Sequence, residues 1–557
     1  MRSILRSGYL LIGMGIAFSI AAQPGDGSKR HWEDPPKLVV GIVIDQMRTD
    51  LIYRYWRNFG EGGFKRAIGE GSFQRDAHFD YVPTYTGPGH ASIYTGTTPA
   101  FHGIVGNDLF LRATGGGLYC AEDAEVTGVG CTGRIGQRSP VNLMSTTLAD
   151  ELERRTERRS RTIGIALKDR GAILPIGRTG DAAYWFGAGE EGHFVTSTWY
   201  GDTLPAWLQE FNAEEKAKEY LSGTWDLLLP RERYQQVLPD DNPYEKPMPG
   251  ARTATLPQDL AAISKGNTGV IAFTPWGNTL TTDMAIAAIA GEQLGTDAIT
   301  DLLAVSYSSP DMAGHYMGIR SLELEDMYIG LDRDLARLFD RLDEVVGNEE
   351  YLVFITADHG AGDVPAYLKD LRGSAGSFDQ SELIARIETM LDDRYGEADW
   401  VLTITNGQVF LNEKAIDGKQ LDHGQIQRKV ADLLLTDPLI ATALSAIDLV
   451  SRQYTEGPQR AIQRGFMPQR CGDVCFSLQP GILDAADVYE VGKGSAHASA
   501  WNYDTHVPVI FFGKGVAKGE VHRRTSITDI VPTVAMLVGM TVPDASIGRV
   551  VPEVITR

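Results

Sequence analysis

Positive charge is what this sequence lacks most. Its 557 residues carry 52 Lys and Arg against 73 Asp and Glu, a formal net charge of −21. A nucleic-acid backbone wants a basic surface, so nucleic acid is not expected as a partner. Small phosphate-bearing substrates stay open, because a local cluster of cations outweighs a distant net charge. Long apolar runs are scarce too, and beyond the N-terminus none would span a bilayer. Internal repeats and low-complexity stretches are absent. The sequence has no Gly-x-Ser-x-Gly, which speaks against a serine-hydrolase elbow, and no Cys-x-Pro-x-Arg, which speaks against a sulfatase. Cysteine is limited to Cys120, Cys131, Cys471 and Cys475.

The N-terminus supplies what the rest withholds. "MRSILRSGYLLIGMGIAFSIAAQ" has a basic start at Arg2 and Arg6, an apolar run from Gly8 to Ala22, and small residues before Gln23. The run is short for a membrane anchor. Residues 1–22 therefore read as a signal peptide, the mature chain starts near Gln23, and the protein is expected in the periplasm or secreted. No cysteine follows the run, so neither a lipid anchor nor any stable membrane anchor is expected. In an exported protein an even cysteine count suggests disulfides. Local loops Cys120–Cys131 and Cys471–Cys475 are the simplest of the three possible pairings. A cysteine zinc site competes, but neither pair sits beside the His and Asp residues discussed below.

The fold class follows from alternation. "PPKLVVGIVIDQMR" is a continuous apolar run closing on Asp45, the pattern of a buried parallel strand with a functional residue at its end. "RTIGIALKDRG", "DLLAVSYSSPDMAGH", "EEYLVFITADHGAG" and "THVPVIFFGKG" repeat it. Helical periodicity lies between, as in Leu324–Gly347. This predicts an α/β doubly wound, mostly parallel sheet. Two stretches interrupt it. Residues 181–296 are rich in Trp, Tyr, Pro and Gly and read as an inserted cap. Residues 366–483 read as an α+β insert, whose "VLTITNGQVFLN" is a hairpin with an Asn-Gly turn. The core then comprises 23–180, 297–365 and 484–557.

The chemistry gathers at the strand ends. Asp45, Asp311, Asp358, His359 and the Lys168/Arg170 pair follow strands, and Asp311 and His315 are four apart, on one helical face. His497 lies in a Gly/Ser-rich loop. Three carboxylates with three imidazoles suit zinc better than magnesium or calcium. "YTGPGH" places the Thr86 hydroxyl before Gly87-Pro88-Gly89. Alone, Thr86 is a capping threonine, at a helix N-terminus of the kind that binds anions. Beside metals it becomes a candidate nucleophile, because coordination turns a poor hydroxyl nucleophile into a good one. Lys168 and Arg170, two apart, would share one face of a strand and match the extra anionic oxygen of a phosphate monoester. His90 and His506 read as plain turn and strand-edge histidines.

The order Asp45, "TYTGPGHASIYTGTTPAFHGIVGND", "ALKDRGAI", "SSPDMAGH", "TADHG", His497 resembles the alkaline phosphatase superfamily. It is similar in particular to the monomeric, threonine-nucleophile bacterial alkaline phosphatases, relatives of nucleotide pyrophosphatases/phosphodiesterases. The resemblance covers most of the mature chain. It implies a monomeric di-zinc enzyme with a phosphothreonine intermediate. It assigns Asp45, Thr86, Asp358 and His359 to one zinc and Asp311, His315 and His497 to the other. It makes Asn107 a donor to a phosphoryl oxygen, and it matches Lys168 and Arg170 to the Lys-x-Arg pair of the monoesterase branch. The expected function is hydrolysis of small phosphate monoesters with weaker diesterase activity. The alternatives are a nucleotide pyrophosphatase/phosphodiesterase and, more remotely, a zinc- or phosphate-binding protein without turnover.

Overall fold

In the computed structural model, residues 34–188 and 192–556 are described. The expected signal peptide lies outside them. The main sheet has eleven strands. Its centre is five parallel strands in the order Tyr351–Thr356, Leu38–Ile44, Asp301–Tyr307, Thr162–Ala166, Ala182–Gly187. Every residue of Leu38–Ile44 and of Tyr351–Thr356 is buried. Helices cover both faces, so these strands read as unbroken apolar runs rather than alternating ones. Because the strands are parallel and adjacent, the residues just beyond them leave the sheet along one edge.

The strand His506–Gly513 departs from the recurring pattern. It runs antiparallel to Tyr351–Thr356 and to Ser72–His78. Its N-terminal end therefore meets the edge where the parallel strands finish, and the loop before it brings His497 there.

The aromatic-rich segment 181–296 opens with Ala182–Gly187 and His193–Ser197, which extend the main sheet. It closes with helix Pro275–Gly291, packed on helix Leu322–Leu342. Tyr184, Phe186, Phe194 and Trp225 join the main core. The segment thus extends and covers the sheet as well as supplying loops. Ser321 caps the long helix, its hydroxyl accepting the Leu324 N–H.

Residues 366–483 build a separate apolar cluster around Trp400, Val409 and Val430. Its four-stranded sheet runs Val401–Thr405, Gln408–Leu411, Val474–Leu478, Ile440–Ser445. The expected hairpin turns at Asn406 (φ 53) and Gly407 (φ 67), the left-handed pair that an Asn-Gly turn needs.

The expected disulfides are not formed. No disulfide closes Cys120–Cys131 or Cys471–Cys475 among the described residues. Cys120 packs with Ala91, Ile104 and Leu143, while Cys131 lies against a different cluster around Trp185. The Cys471 thiol accepts the Met467 N–H at 3.3 Å. Burial pushes the Cys120 and Cys471 thiols up to about 12, which makes both poor nucleophiles.

Candidate active site

The Gly-Pro-Gly stretch opens helix Thr86–Thr95, buried at every residue. The N-cap is Tyr85, in extended conformation, and Thr86 is the first helical residue. The cap is one residue earlier than expected, because Thr86 already has helical backbone and its hydroxyl makes no cap bond. The glycines have distinct tasks. A Cβ on Gly89 would lie 2.3 Å from the Asp358 carbonyl oxygen, so the first turn packs directly on Asp358. The Gly87 N–H donates to Asn107 Oδ1 at 2.8 Å. That bond leaves the Asn107 amide nitrogen as a donor on the other side of the group.

Asp45 follows Leu38–Ile44 directly, its N–H donating to the Tyr307 carbonyl at 3.0 Å. Asp358 and His359 follow Tyr351–Thr356 after one residue, and all three side chains are fully buried. His359 Nε2 lies 3.4 Å from Asp45 Oδ1 and 3.6 Å from Asp358 Oδ2. Asp311 and His315 share a face of helix Ser309–Met317, with His315 Nε2 3.2 Å from Asp311 Oδ1. His497 Nε2 is 3.5 Å from the same oxygen. The His359 and His497 rings stack at 3.6 Å. Two groups of potential ligand atoms result: Asp45, Asp358 and His359, and Asp311, His359 and His497. His359 stands between them, and His315 flanks the second.

The donor chemistry fits metal ions. Asp45 Oδ1, Asp358 Oδ2 and His359 Nε2 are buried without a hydrogen-bond partner. Such orphans are costly unless something else meets them. The Nδ1–H of His359 donates to the Gly360 carbonyl at 3.0 Å and that of His497 to the Thr84 carbonyl at 2.7 Å. Each bond fixes a tautomer and presents Nε2, the usual arrangement behind a metal-bound histidine. Burial chiefly pulls His359 down to about 3, and burial lowers His497 as well, so both rings are neutral. Burial raises Asp45, with Asp311 and Asp358 adding repulsion. Burial alone would raise Asp311 also, but His315 and Lys168 hold it well below the usual carboxylate range. Three buried carboxylates around one lysine leave negative charge for divalent cations to balance.

Lys168 and Arg170 do not share a strand face. The strand Thr162–Ala166 ends before them; Lys168 is the N-cap of helix Asp169–Ile176 and Arg170 lies in its first turn. The turn sends them to different places. Lys168 Nζ donates to Asp45 Oδ2 at 2.6 Å and Asp311 Oδ2 at 2.5 Å. Burial would lower the Lys168 pKa, but Asp311 and Asp45 raise it, and the ammonium stays charged. Arg170 Nη2 lies 3.4 Å from Thr86 Oγ1, and its Nη1 donates to Tyr119 OH at 3.2 Å.

Sequence reading passed over three contributors. Gln46 (φ 68) gives its N–H to Asp358 Oδ1 at 3.2 Å and its amide to Asp311 Oδ1 at 2.6 Å. It ties the two carboxylates together, and no periodicity marks it. His90, read as a turn histidine, sits inside the helix with Nδ1 3.3 Å from Asp358 Oδ2 and 2.9 Å from the Thr86 carbonyl. Its place four residues after Thr86 was the available signal. Tyr119 steadies Arg170 and donates to Asp169.

Known proteins resemble this chain over most of its length. The family model "Type I phosphodiesterase / nucleotide pyrophosphatase" matches residues 39–481. The chain is 39% identical to alkaline phosphatase PafA of Elizabethkingia meningoseptica, over 94% of this chain and 95% of that one. It is 40% identical to alkaline phosphatase PhoV of Synechococcus elongatus, over 93% of each. It is also 40% identical to a Myroides odoratus protein named calcium-transporting ATPase, over 94% and 95%. The crystal structure of wild-type PafA superposes with a TM-score of 0.90 at 38% identity, covering 95% of this chain and 100% of that one. A PafA variant substituted at a threonine, an asparagine, a lysine and an arginine gives 0.89 at 37% identity, with the same coverage. This chain belongs to the type I phosphodiesterase/nucleotide pyrophosphatase family, alongside the PafA and PhoV alkaline phosphatases.

Proposed function

We propose that this protein is an exported, monomeric alkaline phosphatase that hydrolyses small phosphate monoesters through a phosphothreonine intermediate at a site holding two zinc ions. Asp45, Thr86, Asp358 and His359 would hold one ion, and Asp311, His315 and His497 the other. Bound there, the ions would supply Lewis-acid stabilisation of phosphoryl charge and acidify the Thr86 hydroxyl. Thr86 Oγ then attacks phosphorus; its bond to phosphorus forms as the ester P–O bond breaks, and the alcohol leaves with a proton. Water attacks the phosphothreonine in turn, releasing phosphate and restoring Thr86. Backbone N–H groups at the helix N-terminus and the Asn107 amide receive the phosphoryl oxygens. Were cations to engage Asp45 and Asp311, the Lys168 ammonium they now hold would be freed to meet an anionic oxygen.

The observation that carries this reading is Arg170 Nη2 at 3.4 Å from Thr86 Oγ1. A guanidinium beside the nucleophile suits the extra charge of a monoester, and a diester gains less from it. In the PafA variant, too, a threonine, an asparagine, a lysine and an arginine were the residues changed. Weaker diesterase activity belongs to the same proposal. The matched family model favours the second reading, a nucleotide pyrophosphatase/phosphodiesterase. The double variant Lys168→Ala/Arg170→Ala decides between them. Each charge-assisted contact is worth roughly 1.5–3 kcal/mol. The monoester-to-diester ratio of kcat/KM should therefore fall by about two orders of magnitude, with zinc content unchanged. Equal losses on both substrates would mean that the pair only supports the fold, and no loss on either would move the diesterase reading ahead.

A further inference from the structure

A second group of potential metal ligands lies on the outer part of the main sheet and shares no residue with the catalytic set. Ser72–His78 and His506–Gly513 pair antiparallel, and His78 stands directly opposite His506. Asp76 is two residues from His78, so all three side chains fall on one face. A register shift between Val507 and Val509 puts an extra residue in the partner strand near Asp76. Bulges of this kind re-aim side chains and gather beside sites. The imidazoles stack at 4.6 Å with an 11° angle between planes. One ligand atom from each of Asp76, His78 and His506 lies within 4.8 Å of the other two.

From this juxtaposition we infer that Asp76, His78 and His506 form an additional zinc-binding site, separate from the catalytic centre. One ring is already oriented for it. His506 Nε2–H donates to the Arg75 carbonyl at 2.8 Å, which leaves the Nδ1 lone pair unprotonated. His78 Nε2–H donates to Asp76 Oδ1 at 2.6 Å and its Nδ1 lies 3.3 Å from the Thr505 hydroxyl, so zinc would take the place of the proton between Nε2 and Asp76. Arg75, the cation beside Asp76, is engaged by Glu520 at 2.5 Å. Two nitrogens and one carboxylate oxygen favour zinc over calcium or magnesium. The Asp76 side chain is 41% exposed, which leaves an entry path and room for water to complete the shell.

The site has a structural consequence. Thr505, beside His78, also accepts the Phe79 N–H on its carbonyl, and the neighbouring Asp504 carbonyl accepts the Gly360 N–H at 2.7 Å. An ion here would clamp the turn on which the backbone after His359 rests. It would act on stability without touching the reacting atoms.

The test is zinc content by mass spectrometry after dialysis of the full enzyme against micromolar zinc. His506→Ala and Asp76→Asn should each lower it by about one ion per chain relative to wild type. Phosphatase kcat/KM should stay within about twofold, and the zinc-dependent part of the thermal stability should shrink. Asp76→Asn changes a half-exposed side chain, so it reports even if His506→Ala does not fold. Zinc content equal to wild type in the folded variants overturns the inference. Loss of the catalytic ions would instead abolish activity, so failure of the phosphatase reading is seen separately.

Discussion

Asp45, Asp358 and His359 leave the ends of two neighbouring parallel strands, whereas Asp311 and His315 stand on a helix and His497 on a loop. The strand-end group has 0% side-chain exposure, while the His315 side chain keeps 14%. The first half is fixed by the sheet itself. Asp358 is further pinned by Gln46 and flanked by His90 and the glycine-opened helix. The second half depends on a helix and a loop meeting from distant parts of the chain. On the proposed reading, the difference mounts the nucleophile Thr86 on the rigid half, and the more exposed half would hold the ion that is easier to remove.

Thr86→Ala should break the rigid half most severely. It removes the attacking oxygen and one proposed ligand together. The expected loss in kcat is on the order of 10³-fold or more, because a covalent route cannot run without its nucleophile. Thr86→Ser should keep measurable turnover. Acid quenching of the wild type should trap phosphate on Thr86. Phosphate on another residue, with Thr86→Ala still active, would remove Thr86 from the mechanism.

The contrast in ion retention comes next. During timed dialysis against a chelator, one catalytic zinc should leave before the other. His315→Ala should lose about one ion per chain and keep the second, whereas Asp358→Ala should weaken both, since Asp358 also anchors Gln46 and the Thr86 helix. Metal content read alongside activity checks this. Identical losses in the two variants would erase the proposed difference between the halves.

Much of the rigid half was legible in the sequence. Strands buried on both faces print continuous apolar runs, and the residue after such a run falls at the sheet edge by geometry alone. Asp45, Asp358 and His359 are readable for that reason, and the Asn406-Gly407 hairpin because its turn needs left-handed residues. Lys168 and Arg170 show the limit. "ALKDR" reads as a strand continuing through the charges, but the chain turns into a helix at Lys168, and backbone direction there depends on what the turn packs against. Gln46 and Tyr119 act through long-range partners that carry no local pattern. For Cys120 and Cys131 the disulfide expectation failed for a similar reason, since sequence proximity does not say which core each thiol enters.

His102 sharpens the comparison with the site histidines, being equally buried but held by ordinary hydrogen bonds. Its Nδ1 accepts the Ile104 N–H at 3.1 Å and its Nε2–H donates to Ser92 Oγ at 2.8 Å. Burial first, then Arg470, takes its pKa down to about 3. An unfolded histidine titrates at about 6.5. Between these values the unfolded chain binds a proton that the folded chain refuses. The contribution is therefore fully present above about pH 6.5 and is lost as pH falls towards 3, by up to about 1.4 kcal/mol per pH unit. Urea unfolding at pH 7 and pH 5 should show this loss, and His102→Gln should flatten it. An unchanged slope in the variant would place the proton uptake elsewhere.

The smallest effect is expected where the α+β insert touches the rigid half. Asn406, in the hairpin turn, donates to the Asp108 carbonyl at 2.7 Å. It presses so closely on Gly106 that a Cβ there would lie 2.4 Å from Asn406 Nδ2. Asn107, between these residues, takes the Gly87 N–H and is the proposed phosphoryl donor. The insert thus braces the Asn107 loop through one side-chain amide. Asn406→Gly removes that amide while keeping the left-handed turn, so it separates the hydrogen bond from backbone strain. One such bond is worth about 0.5–1.5 kcal/mol, which corresponds to a loss of roughly 2- to 10-fold in monoester kcat/KM. Zinc content and melting temperature should stay close to wild type, because the insert has its own apolar core. Asn107→Ala combined with Asn406→Gly should cost no more than Asn107→Ala alone if the amide acts only through Asn107. Additive losses in that double variant would mean that Asn406 reaches the site by another route.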